Sequence, residues 1–157
     1  MPHKPDVQFK RGHWPKVERR TEAARSANAV TAKTLKILKN NMTLKIIQDS
    51  VISKKEFLDL ARERFGDMVK AVVDIEREIM AIGGDLHADE EALLLEQESK
   101  QEDLWGINLY PEKTGDDRIE FDSMINIRPS QGNRSRGVEN PAIREKIREI
   151  VKKIIIA

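Results

Sequence analysis

Residues 103–141 read DLWGINLYPEKTGDDRIEFDSMINIRPSQGNRSRGVENP, and the fold turns on this stretch. One extended run, Leu104–Pro111, is followed by Thr114-Gly115-Asp116-Asp117 and then by a second run, Ile119–Arg128. Two strand-forming runs around a Gly/Asp turn predict a β-hairpin. Alternation sorts the second run into Ile119, Phe121, Ser123, Ile125 and Ile127 on one face. Glu120, Asp122, Met124, Asn126 and Arg128 fall on the other. The first set belongs in the core beside Trp105, Ile107 and Leu109, while the second shares its face with Asn108 and Tyr110. A loop with three arginines and two glycines comes next. Asn140 before Pro141 then predicts a capped helix start, and Ile143, Ile147, Ile150, Val151 and Ile154 form its apolar stripe.

Upstream of the hairpin the chain divides near Asn40-Asn41-Met42. Residues 1–41 carry ten Lys/Arg against three Asp/Glu, whereas the remainder carries 18 against 24. The first 16 residues hold three prolines and no periodic pattern, so disorder is expected there. Residues 17–39 have a thin, alanine-rich stripe that predicts at best a marginal helix. This basic arm is a solvated tail, a stretch translated from a start upstream of Met42, or a phosphate-contacting segment.

From Met42 the pattern sharpens. Leu44–Ile47 reads as a short strand, and Ser53-x-x-Glu56 is a capping box that opens a helix to about Arg64, stopped by Gly66. Met68–Ile75 alternates as a half-buried strand. Ile79–Leu86 is its return, although Glu76-Arg77-Glu78 lacks the glycine or asparagine that a tight turn favours. A helix across 67–82 is the alternative. His87-Ala88-Asp89-Glu90-Glu91 starts a second helix, with carboxylates that suit a helix N-terminus. The order β-α-β-β-α-β-β-α predicts an α+β domain over 42–157: a two-layer sandwich of a mostly antiparallel five-stranded sheet with three helices on one side.

With 39% apolar and 35% charged residues, 157 residues describe a globular protein with a sizeable core. Absence of cysteine excludes disulfides and thiolate chemistry. No apolar run approaches a membrane span and no secretory signal is present, so a cytoplasmic protein with no membrane partner is expected.

Four phrases carry a resemblance: FGDMVKAVVDIE, LHADEEALLLE, DLWGINLYPE and IEFDSMINIRPSQGNRSRGVENP. Through them the chain from about Met42 onward resembles a small bacterial and cyanobacterial family catalogued only as domain of unknown function 5674. The resemblance implies a compact domain that excludes residues 1–41. It implies no activity, cofactor or site.

Chemistry is concentrated in three places. Arg128, Asn133, Arg134, Ser135 and Arg136 lie in a loop without acidic residues that runs from a strand end to a helix start. Glycines there allow close backbone approach, and arginines fork onto phosphate or carboxylate. With Asn108 and Asn126 on the adjoining strand face, these residues predict an anionic ligand: a nucleotide, a phosphorylated metabolite or RNA. Their alternative use is pairing with Glu120, Asp122 or the acidic second helix. The polar face itself is the second place, with cross-strand pairing as its plainer purpose. Third, His87 with Asp122 and Glu120 would suit a metal-assisted hydrolase if the fold brought them together. A structural subunit, as a homodimer or one of a two-protein pair, is the remaining reading. No cofactor can be named.

Overall fold

The structure, a computed structural model, describes residues 44–155. The basic arm expected over 1–41 therefore lies outside the described residues. Within them run β1 (Lys45–Ile47), α1 (Lys54–Arg64), β2 (Val69–Asp74), β3 (Ile79–Ile82), α2 (His87–Glu96), β4 (Leu104–Leu109), β5 (Ile119–Glu120) and α3 (Pro141–Ile154). The five strands form one antiparallel sheet in the order β1-β3-β2-β4-β5. With three helices, this is the expected α+β fold.

Local chemistry explains the helix boundaries. Ser53 Oγ accepts the Glu56 N–H at 3.1 Å and so caps α1. The Glu56 carboxylate turns instead to Lys45, so the box is closed from one side only. Past the helix, Gly66 takes a φ of +92° and its N–H returns to the Ala61 carbonyl at 2.7 Å. Asn140 Oδ1 accepts the Ala142 N–H at 2.9 Å, with Pro141 in the first turn of α3.

The β2–β3 turn forms without glycine because Asp74 organises it. Asp74 Oδ1 accepts from the N–H groups of Glu76 and Arg77 at 3.0 and 2.9 Å, and its carbonyl accepts from Glu78 at 2.9 Å. Glu78 absorbs the bend with a φ of +57°. The hairpin reading of 68–86 thus holds, and the helix alternative does not.

One face of the sheet presents Val69, Ala71, Val73, Met80, Ile82, Trp105, Ile107 and Leu109 to α1 and α3. Phe57, Leu60, Ile147, Ile150 and Val151 come down onto it, joined by Ile119 and Phe121 as the alternation requires. Each such buried aliphatic contributes about 1.5–3 kcal/mol. The opposite face is covered as well. Val72, Ile79, Ala81 and Leu104 pack there against Leu94 of α2, with Ile125 alongside. Two helices therefore share one side and α2 takes the other, which is why Val72 and Asp74 are fully buried rather than solvated.

A second difference lies in the hairpin. The expected strand Ile119–Arg128 keeps strand pairing only at Ile119 and Glu120, opposite Leu109 and Asn108. Beyond Phe121 the parity breaks: Ser123 and Asn126 are buried, whereas Met124 is 65% exposed. The outer edge of β4 is satisfied by side chains in place of a strand. Asn126 Oδ1 accepts the Gly106 N–H at 2.8 Å, and Asn126 Nδ2 donates to the Gly106 carbonyl at 2.9 Å. Arg128 continues the row by donating to the Leu104 carbonyl. A primary amide carries the same donor and acceptor as a peptide unit, so Asn126 stands in for a strand residue. Gly106 is required opposite it, because an added Cβ would lie 2.6 Å from Ser123 Cβ and Oγ.

Candidate functional site

Where β5 ends and the chain leaves the sheet, a cavity of about 430 Å³ opens on the α2 side. Its floor is one row across three strands. Lys70 of β2 pairs in register with Asn108 of β4, which pairs with Glu120 of β5. All three line the cavity, with His87 from the first turn of α2 and Asp122 and Arg136 from the loops. Leu86 and Met124, 55% and 65% exposed, form apolar parts of its wall.

The floor is only partly self-satisfied. Glu120 Oε1 accepts from Asn108 Nδ2 at 2.8 Å and from the Tyr110 hydroxyl at 3.2 Å. No described cation pairs with Glu120. Desolvation and this carboxylate together raise the Tyr110 pKa above its ordinary value. Asn108 is buried, and its Oδ1 has no hydrogen-bond partner among the described residues. Lys70 makes no ion pair with a described carboxylate; its ammonium lies 5.3 Å from the centroid of the Phe65 ring. Asp122, by contrast, is held by Arg136 Nε at 2.6 Å.

His87 Nε2 sits 2.8 Å from the Ile107 carbonyl oxygen. A carbonyl only accepts, so Nε2 carries the proton and Nδ1 is the acceptor of the neutral ring. Burial lowers the His87 pKa, reinforced by Lys70 and Arg136, against the opposing carbonyl contact and Asp122.

Seven residues were expected to hold an anion, and the fold distributes them. Asn108 and Arg136 line the cavity. Asn126 is consumed by the edge of β4 and by the Arg136 carbonyl at 2.9 Å. Arg128 donates to the carbonyls of Gln101 and Leu104, with its guanidinium 4.1 Å from the centroid of the Trp105 ring. Asn133 is buried, donating to the carbonyls of Asn126 and Gly137 at 2.7 Å each and accepting the Glu139 N–H at 2.8 Å. The backbone N–H groups of Arg134 and Ser135 both point at Glu139 Oε2, at 2.7 and 2.9 Å. Hydrogen bonds from Ser135 and Arg134 hold the Glu139 carboxyl below its ordinary pKa. The N–H pair of the glycine-bearing loop is taken by the chain's own Glu139 carboxylate.

His87, Asp122 and Glu120 do meet around the cavity. Yet among the described residues no three His, Asp or Glu side chains are grouped so as to hold a metal ion. Lys70 and Leu86 escaped the sequence reading. A lone lysine in an alternating strand looks solvated, and only the β2–β4 register sets it beside Asn108.

A second cavity of about 440 Å³ lies between the 115–119 turn and the end of α3. Its Arg148 is engaged, with Asp116 at 3.4 Å, Glu145 at 3.4 Å and the Phe121 ring at 5.5 Å. No helix among the described residues is long and apolar enough to cross a membrane.

No curated protein and no solved structure matches the chain. A family model does, over residues 45–154, which spans every strand and helix described above. The chain belongs to the family described as protein of unknown function (DUF5674).

Proposed function

We propose that the domain is a binding module for a small anionic ligand, and that the ligand sits in the cavity over Lys70, Asn108 and Glu120 rather than on the outer surface of the arginine loop. The observation that carries this reading is Lys70, a partly buried cation on the cavity floor that forms no ion pair with a described residue. Arg136 stands at the wall as well, ion-paired with Asp122. The start of α2, whose dipole end is positive, adjoins the same space through His87 and Ala88. A cavity of this size suits a metabolite rather than a polymer, and a few convergent polar groups beside apolar walls are the usual make-up of a small-molecule site. The loop offers less: Arg128 and Asn133 hold the fold, and Glu139 already occupies the N–H pair of Arg134 and Ser135.

The test is a thermal-shift panel of inorganic phosphate, nucleoside monophosphates, sugar phosphates and carboxylic acids, run on the wild type, Lys70→Met and Arg134→Ala. Binding is expected to stabilise the wild type and Arg134→Ala alike, and to weaken at least tenfold in Lys70→Met, the loss of one charge-assisted contact. Binding that vanished in Arg134→Ala and persisted in Lys70→Met would return the site to the loop. Salt-sensitive retention of RNA indifferent to Lys70 would exclude the cavity reading.

A further inference from the structure

The cavity floor is polar at both ends with opposite signs. We infer that its ligand is a small zwitterion, with a primary ammonium group, a carboxylate or phosphate, and an apolar substituent. This rests on the cavity being the binding site, as proposed above, and specifies what it would recognise.

Three features carry the inference. First, Lys70 and Glu120 are the two charged groups of the floor left without an ion-pair partner among the described residues, and they stand in one cross-strand row with Asn108 between them. Adjacent strands are about 4.8 Å apart, so these ends are roughly 10 Å apart at the backbone and do not meet each other. A ligand that answers both ends therefore carries an ammonium for Glu120 and an acid group for Lys70.

Second, the middle of the row asks for a donor. Asn108 gives its Nδ2 to Glu120 Oε1 at 2.8 Å, which leaves Oδ1 as an acceptor without a partner in a residue that is 94% buried. A simple anion answers Lys70 but brings no hydrogen to that oxygen or to Glu120. An ammonium group has three N–H donors, enough for Glu120 and Asn108 together. Third, the apolar walls at Leu86 and Met124 are largely exposed. An apolar substituent would cover them, and the unbranched thioether of methionine adapts to different shapes.

Calorimetric titration of the full chain decides the matter, with L-leucine, L-phenylalanine, glycine and phosphoethanolamine as probes. Each L-amino acid is compared with its 2-hydroxy acid, in which the ammonium is replaced, and with its amide, in which the anion is neutralised. At least one apolar amino acid or the amino phosphate is expected to bind. Its singly charged counterparts should bind at least tenfold more weakly, and leucine and phenylalanine should exceed glycine. Glu120→Gln and Lys70→Met should each weaken the zwitterion by a similar factor. The ligand-side changes interrogate the same contacts in the wild-type protein, should either variant fold poorly. A hydroxy acid binding as tightly as its amino acid overturns the inference and leaves the anion site standing. So does phosphate or a nucleotide binding through Lys70 when all four probes fail. If no compound of either panel binds, both readings fall.

Discussion

Replacing Asn126 by alanine tests the idea that a side-chain amide completes the sheet. The wild-type amide makes three hydrogen bonds, two with Gly106 and one with the Arg136 carbonyl, at 2.8–2.9 Å in a fully buried position. Alanine removes all three and leaves the Gly106 N–H and carbonyl without these partners, while the Arg136 carbonyl keeps the Ser123 N–H at 3.0 Å. A net loss near 1 kcal/mol per bond, rising where the orphaned group stays dry, gives about 2–5 kcal/mol. For a domain of this size each kcal/mol moves Tm by about 4 °C, so a fall of roughly 8–20 °C is expected. Asn126→Asp is the sharper control. It keeps an acceptor for the Gly106 N–H but turns lone pairs toward two carbonyls, so it should be no more stable than alanine. Met124→Ala, two residues away and exposed, should change Tm little. Thermal melts and urea titrations of the three variants suffice. An Asn126→Ala melt within about 3 °C of wild type, or an Asn126→Asp protein of native stability, would refute the reasoning.

Further expectations follow from neighbouring features. Gly106→Ala should lower the urea midpoint by the equivalent of about 1–3 kcal/mol, because its Cβ meets Ser123 at 2.6 Å; adding Ser123→Gly should recover part of it, and an unchanged midpoint would remove the close-contact argument. Glu90 is fully buried on α2, where desolvation raises its pKa well above 4.5 against the opposing Gly84 N–H and Lys70, with Asp89 adding to the rise. The folded state then holds a proton that the unfolded chain releases above about pH 4.5, so this residue's contribution falls as pH rises from there toward the folded pKa. Glu90→Gln should flatten that slope between pH 5 and 8, and an unaltered slope would assign it elsewhere. We also propose that a chain starting at Met42 melts within a few degrees of the full chain, since the capped helices and the apolar strand runs lie downstream; a larger loss on truncation would make the basic arm part of the fold.

Much of the architecture was legible because it rests on local rules. Ser53 and Asn140 announce their helices by the bonds they later make, and alternation sorts Trp105, Ile107 and Leu109 onto the face that Ile119 and Phe121 join. What escaped depends on non-local substitution. Period-two reading cannot see that a buried asparagine will replace a strand partner, so it carried the strand on to Arg128 and assigned Asn126 and Ile127 the wrong environments. Nor could it place α2 on the far face, because Leu93-Leu94-Leu95 shows no preferred side. At the site, Asn108, Glu120 and Tyr110 were grouped correctly by parity. The loop arginines drew attention by composition, whereas their partners, Glu139 among them, are assigned only once the chain is folded. Lys70 offers no sequence signal.

Backbone pairing is indifferent to side-chain identity, which lets ordinary strands drift in sequence while the sheet persists. The outer edge of β4 has given up that indifference. Its pairing groups are supplied by Asn126 and Arg128, and the ground opposite them is Gly106. Tolerance to substitution is thereby inverted here. The irregular segment after β5 is the constrained part of this hairpin, while the two-residue strand before it is freer to vary. The same arrangement withholds that edge from another chain's strand, so among the described residues the two sides of this sheet are closed by different means: β1 ends it with a strand, β4 with side chains.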